Sequence, residues 1–129
     1  MKLMKKEIII SALFIIMLAL SFVNVHYLEK LTFDVARNAE AAADFMSLGD
    51  TANAEQHAVE AFRLWQENSL YARVVLRHTV YENGEAALIS LLTQIYSDNA
   101  GGALGAAESV RRSMDSIVSA ERLRLGSIF

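Results

Sequence analysis

The chain has no cysteine and no proline, and only six of its 129 residues are glycine. The lack of cysteine excludes disulfides, thiolate metal sites, a thiol nucleophile and a lipoprotein-type anchor. It leaves the compartment open, because cysteine-free chains occur on either side of a membrane. With no proline and few glycines, little interrupts helix formation, and the abundant alanine, leucine, glutamate and arginine favour it. Strand signals are missing as well: beyond the first 25 residues valine and isoleucine are scattered and never alternate. Basic charge is scarce outside the N-terminus. Beyond Leu28, nine basic residues face fourteen acidic ones, a net of −5. That balance excludes nucleic acid as a partner, which demands a basic footprint. It argues equally against this region lying flat on an anionic bilayer. The length allows one domain, and the first thirty or so residues are not available to its core.

What the sequence does have is one long apolar run. Residues 8–25 are interrupted only by Ser11, Ser21 and Asn24. Extended to Leu28, the run makes a helix of about 31 Å, the thickness of a bilayer core. Asn24, His26 and Tyr27 then fall at the far interface, where polar and amphipathic groups are favoured. Lys2, Lys5 and Lys6 precede the run. By the positive-inside rule they keep residues 1–7 in the cytoplasm, so that 8–28 span the membrane and 29–129 lie outside it. The rival reading is a signal peptide cleaved near Ala19-Leu20-Ser21. The run continues through Phe22, Val23 and Val25 with no turn former before that site, which favours a retained span.

No linker follows the anchor. Leu28, Leu31, Val35, Ala39, Ala42 and Phe45 recur at steps of three and four, predicting that one helix runs on to about Leu48 and ends at Gly49. Asp50-Thr51 supplies an N-cap for a second helix, with Ala54, Ala58, Ala61, Phe62 and Trp65 on its buried face. Glu67-Asn68-Ser69 ends or kinks it. A third helix is predicted from about Leu70 to Tyr96, with Val74, Tyr81, Leu88, Leu91, Leu92 and Ile95 among its apolar positions. Gly84 within it allows a close helix contact. Residues 98–102 form the clearest loop, and Ala103, Ala107, Val110, Met114 and Ile117 mark a last helix. The expected fold is all-α: a transmembrane helix continuing into a four-helix extracytoplasmic bundle of two tandem hairpins. That layout is TPR-like, though it lacks the 34-residue signature.

Three features taken together, the basic-apolar N-terminus, the Gly49-Asp50 turn leading to Trp65, and the pair Arg77-His78 with Glu82-Asn83, are joined by the closing stretch from Glu121 to Phe129. In these the chain resembles, over nearly its whole length, the uncharacterised bacterial family catalogued as domain of unknown function 4363. That family similarly ends in leucines followed by an Asn-Ile-Phe-like tripeptide, where Ser127 here replaces the asparagine. The resemblance implies a membrane-anchored helical protein of Gram-positive, often spore-forming bacteria, in the cell or spore membrane. It brings no enzymatic residues with it.

The search for chemistry leaves one polar cluster and one terminal motif. His57 with Glu60, and His78 with Glu82, stand one helical turn apart, but no third ligand is identifiable from local spacing, so neither metal nor cofactor is expected. Arg77, His78, Tyr81, Glu82 and Asn83 form the cluster. It reads as a satisfied buried network that fixes helix register or, less favoured, as a pocket for a small anion with Arg77 as its fork. Gly101, Gly102 and Gly105 lack the strand, lysine and spacing of a phosphate-binding loop, and no serine sits in a nucleophile elbow. No catalytic residue is therefore expected. At the C-terminus, Leu125, Ser127, Ile128 and Phe129 form a candidate docking tail: Ser127-Ile128-Phe129 matches the pattern captured by PDZ-type domains, but the favoured reading is that Leu125, Ile128 and Phe129 fold back to close the bundle. The functional expectation is a non-catalytic scaffold held to the bilayer by residues 8–28 and binding another membrane protein or its own copies. The alternative is an extracytoplasmic small-ligand sensor using the Arg77/His78 region.

Overall fold

The computed structural model describes residues 2–128, with all side chains in that range except those of Lys2, Leu3, Arg124, Leu125, Ser127 and Ile128. Among the described residues there are five helices and no strand: α1 (Lys2–Ser47), α2 (Thr51–Glu67), α3 (Ser69–Val75), α4 (His78–Tyr96) and α5 (Ala100–Ile128). α1 is unbroken for 46 residues. Its N-terminal part is long and apolar enough to cross a membrane, with a mean hydropathy of 2.7 over its most apolar window. From Leu28 onward its apolar positions turn inward, and Leu28, Leu31, Val35, Ala39, Ala42, Ala43 and Met46 are all buried.

The turns explain themselves chemically. Gly49, at φ +80°, closes α1. Its N–H donates to Met46 O at 3.1 Å and the Asp50 N–H donates to Phe45 O at 2.9 Å, the paired bonds of a Schellman motif. The Asp50 carboxylate then accepts from the Asn53 N–H at 3.2 Å and caps α2. The second turn repeats the device with Asp98, at φ 54°, in place of glycine. Here Asp98 N–H donates to Ile95 O and Asn99 N–H donates to Gln94 O, both at 3.0 Å. Asn99 Oδ1 accepts from the Gly102 N–H at 2.9 Å, so α5 begins at Ala100. The loop expected over 98–102 is therefore shorter, and Gly101 and Gly102 lie in the first turn of α5.

The expected third helix is two helices. Leu76 and Arg77 are extended, at ψ 152° and 145°, and separate α3 from α4. No proline or glycine marks the break. Leu76 turns into the core while Val74, expected on the buried face, is exposed. Burial of Leu76 overrides a locally good helix sequence.

The helices close into a ring. α1 packs against α2 and α5, α4 packs against the same two, and the α1–α5 seam is the most extensive. α1, α2, α4 and α5 thus enclose one core, as a compact two-hairpin bundle does. Small residues make the seam possible: Ala39, Ala42 and Ala43 on α1, and Ala103, Ala106 and Ala107 on α5, are buried and let the backbones approach. Trp65 fills the core centre with no exposure, and Tyr81 stacks on it with ring centroids 5.4 Å apart. Gly84 faces the indole so closely that a Cβ there would lie 2.9 Å from Cζ2. Phe62, expected beside Trp65, is half-buried.

Candidate functional site

The five residues of the polar cluster do not converge. Arg77 caps the start of α4 from an extended conformation, and Arg77, His78, Glu82 and Asn83 are all exposed. His78 Nε2 meets Glu82 at 2.8 Å, an ordinary i,i+4 surface pair. Tyr81 alone turns inward, against Trp65, so the group is not a buried network. The Tyr81 hydroxyl and the Trp65 Nε1 are buried with no hydrogen-bond partner among the described residues. His57 pairs with Asn38 of α1 across a 3.0 Å Nδ1–Oδ1 contact and stacks on Phe45, binding α2 to α1. Among the described residues no three His, Asp or Glu side chains gather as a metal site requires. Of the C-terminal motif, α5 carries the backbone on as helix to Ile128. The side chains of Leu125, Ser127 and Ile128, and the whole of Phe129, lie outside the described residues.

A different feature stands out. Below the alanine seam, α1 and α5 border a groove of about 800 Å³. Phe33, Ala36, Met114 and Val118 supply its apolar lining, and Phe33 is 63% exposed. Charge rims it: Arg122 holds Glu29 at 2.5 Å, and Arg111 reaches Asp115 at 3.2 Å and Glu40 at 3.9 Å. The Arg111 guanidinium is pushed above its ordinary range, first by its hydrogen bond to Glu108, whose carboxyl is correspondingly lowered. These groups are solvated and set a register rather than a reactive centre. Phe22 and Ser11 lie eleven and twenty-two residues before Phe33 on the same continuous helix. Eleven residues are close to three turns, so one face of α1 runs from the apolar segment into the groove. The sequence signal for the groove was Phe33 itself, a large apolar residue off the buried stripe.

On another face of α1, Tyr27 donates to Asn68 and meets Tyr71 edge-on, with centroids 4.8 Å apart. Burial first, and then the neighbouring Tyr27 and Glu121, raise the Tyr71 hydroxyl above its usual range.

No curated protein and no solved structure matches this chain. The family described as "Domain of unknown function (DUF4363)" matches residues 22–128, a stretch that takes in the end of the apolar segment, the groove and all of α2 to α5. The chain is a member of the DUF4363 family.

Proposed function

We propose that this protein is a non-catalytic interaction module, anchored by the apolar part of α1 and presenting the α1–α5 groove to a helix of another membrane protein or of a second copy. The observation that carries the reading is Phe33, exposed in a charge-rimmed groove on the same helix face that continues into the apolar segment. A partner helix rising from the bilayer beside α1 meets that face without a bend, and the charged rim selects its register. The lysines before the apolar run support a cytoplasmic N-terminus and an extracytoplasmic bundle.

The test is the size and subunit composition of the full chain extracted in mild detergent, by light scattering coupled to mass spectrometry. A homo-oligomer or a stoichiometric membrane partner is expected, and Phe33→Asp is expected to release it. A lone monomer at every detergent strength overturns the reading.

A further inference from the structure

We infer that the lower end of the bundle, made by α3 and the last turns of α5, docks on anionic lipid headgroups around the anchor. The inference rests on the anchoring of α1 proposed above and adds a second contact with the same membrane.

Position is the first argument. Tyr27, at the end of the apolar run, holds α3 through Asn68 and Tyr71, so α3 sits at the level where the run ends. α5 reaches below that level. Arg122 pairs with Glu29, and α5 continues to Ile128, about 9 Å further at the helical rise. Correspondingly, Ser21, Asn24 and Val25 are half-buried on one face of α1, while Phe22, Val23 and nearly every residue from 4 to 20 are exposed. The bundle thus overlaps the last two turns of the apolar segment.

Surface chemistry is the second. On α3, Leu70 and Val74 stand one turn apart and are 79% and 78% exposed. Leu123 on α5 is 75% exposed. Apolar side chains projecting at this level suit the boundary between headgroups and acyl chains.

Charge is the third. Residues 68–81 carry Arg73 and Arg77 and no carboxylate, though Glu67 and Glu82 flank them; residues 44–60, at the far end, carry four carboxylates and no lysine or arginine. Arg73, Arg77 and the exposed Lys30 have no carboxylate within ion-pair distance among the described residues; Arg73 lies over the Tyr81 ring at 5.2 Å. The net charge of the outer region conceals this division. The net negative balance is concentrated at the end pointing away from the bilayer, where residues 44–60 carry four carboxylates and no lysine or arginine. Each cation near an anionic surface strengthens binding on the order of fivefold.

The cysteine-free sequence makes the test direct. Leu70→Cys, Val74→Cys, Leu48→Cys and Ile16→Cys, each in the full chain, are spin-labelled and reconstituted into vesicles of phosphatidylcholine with phosphatidylglycerol. Collision with oxygen and with a water-soluble nickel chelate then reports depth. Labels at 70 and 74 are expected at headgroup depth, the label at 48 in water and the label at 16 in hydrocarbon. Adding Arg73→Glu and Arg77→Glu is expected to return the first two to water. With position 16 in hydrocarbon, labels at 70 and 74 as water-exposed as that at 48 overturn the docking and leave the anchor standing. A water-exposed label at 16 overturns the anchor and the docking together. Labels at 70 and 74 shielded from both reagents assign the surface to a protein contact, and unchanged depth after charge reversal overturns headgroup recognition.

Discussion

The two halves of α1 are one uninterrupted helix with opposite relations to their surroundings. Below Tyr27, the large apolar side chains from Met4 to Val23, Leu18 excepted, point in every direction and stay exposed, from Phe14 at 52% to Met17 at 67%. Above it, Leu28, Leu31, Val35, Ala39, Ala42, Ala43 and Met46 form one stripe and each is at most 6% exposed. Backbone hydrogen bonding is the same in both, so the difference lies in the solvent each half requires. An all-round apolar helix needs lipid, and a striped one needs neighbouring helices. The change of period, more than the hydropathy average, marks the boundary between the two halves at Tyr27 and Leu28.

The strongest way to break this comparison is to put the same charge in both halves. Val35 has no exposure, and Val35→Arg leaves an unpaired cation in the core, costing about 4 kcal/mol or more. Its thermal transition in detergent should disappear while the chain stays in the membrane fraction. Ile16→Arg should do the reverse, weakening insertion by about 3 kcal/mol and leaving the bundle folded once solubilised. If both variants fail in the same assay, the halves are not separate.

The same contrast shows what the sequence exposes and what it conceals. The apolar run, the stripe from Leu28, the Gly49 stop, the Asp50 cap and the alanine face of α2 are all local signals, and the structure has each of them. The break at Leu76 is not local, because only the core that Leu76 enters requires it. Ring closure is not local either: alanines on α1 and α5 announce close packing without saying against which helix. The cluster around Arg77 misled for the same reason. Spacing of four residues brings His78 and Glu82 together on any helix, but does not say whether the pair faces a core or water. Phe33 was visible as an apolar residue off its stripe, but its groove exists only once α5 lies alongside α1.

Two predictions sharpen the upper half. Gly84→Ala drives a methyl to 2.9 Å from the fixed indole of Trp65, an overlap costing about 1–3 kcal/mol. Better helix propensity returns at most about 1 kcal/mol. The net expectation is a loss of about 1 kcal/mol in denaturant titration, abolished when Trp65→Phe makes room. Tyr81→Phe has the opposite sign. It removes a buried hydroxyl that has no partner, so stability should hold or rise by up to about 1 kcal/mol. A loss of that size would mean that the hydroxyl is bonded to a buried water.

The smallest effect separates the halves by pH. The hydrogen bond from Arg63 holds the Glu60 carboxyl below its usual value, and Arg111 does the same to Glu108. A carboxyl lowered in the folded state contributes stability above its unfolded pKa and loses that contribution as pH falls through its folded one. Melting temperature should therefore decline as pH drops below about 4.3, and less steeply in Glu60→Gln with Glu108→Gln. Both pairs are solvent-exposed, so the difference between the two slopes should be slight and should vanish in high salt. Residues 8–25 contain no ionisable side chain. Membrane association of the same samples should stay flat across that range, because nothing within the apolar run itself titrates. Parallel melting slopes in the wild type and the double variant would show that these pairs contribute nothing to the bundle, and loss of membrane association at low pH would show that the lower half depends on the bundle above it.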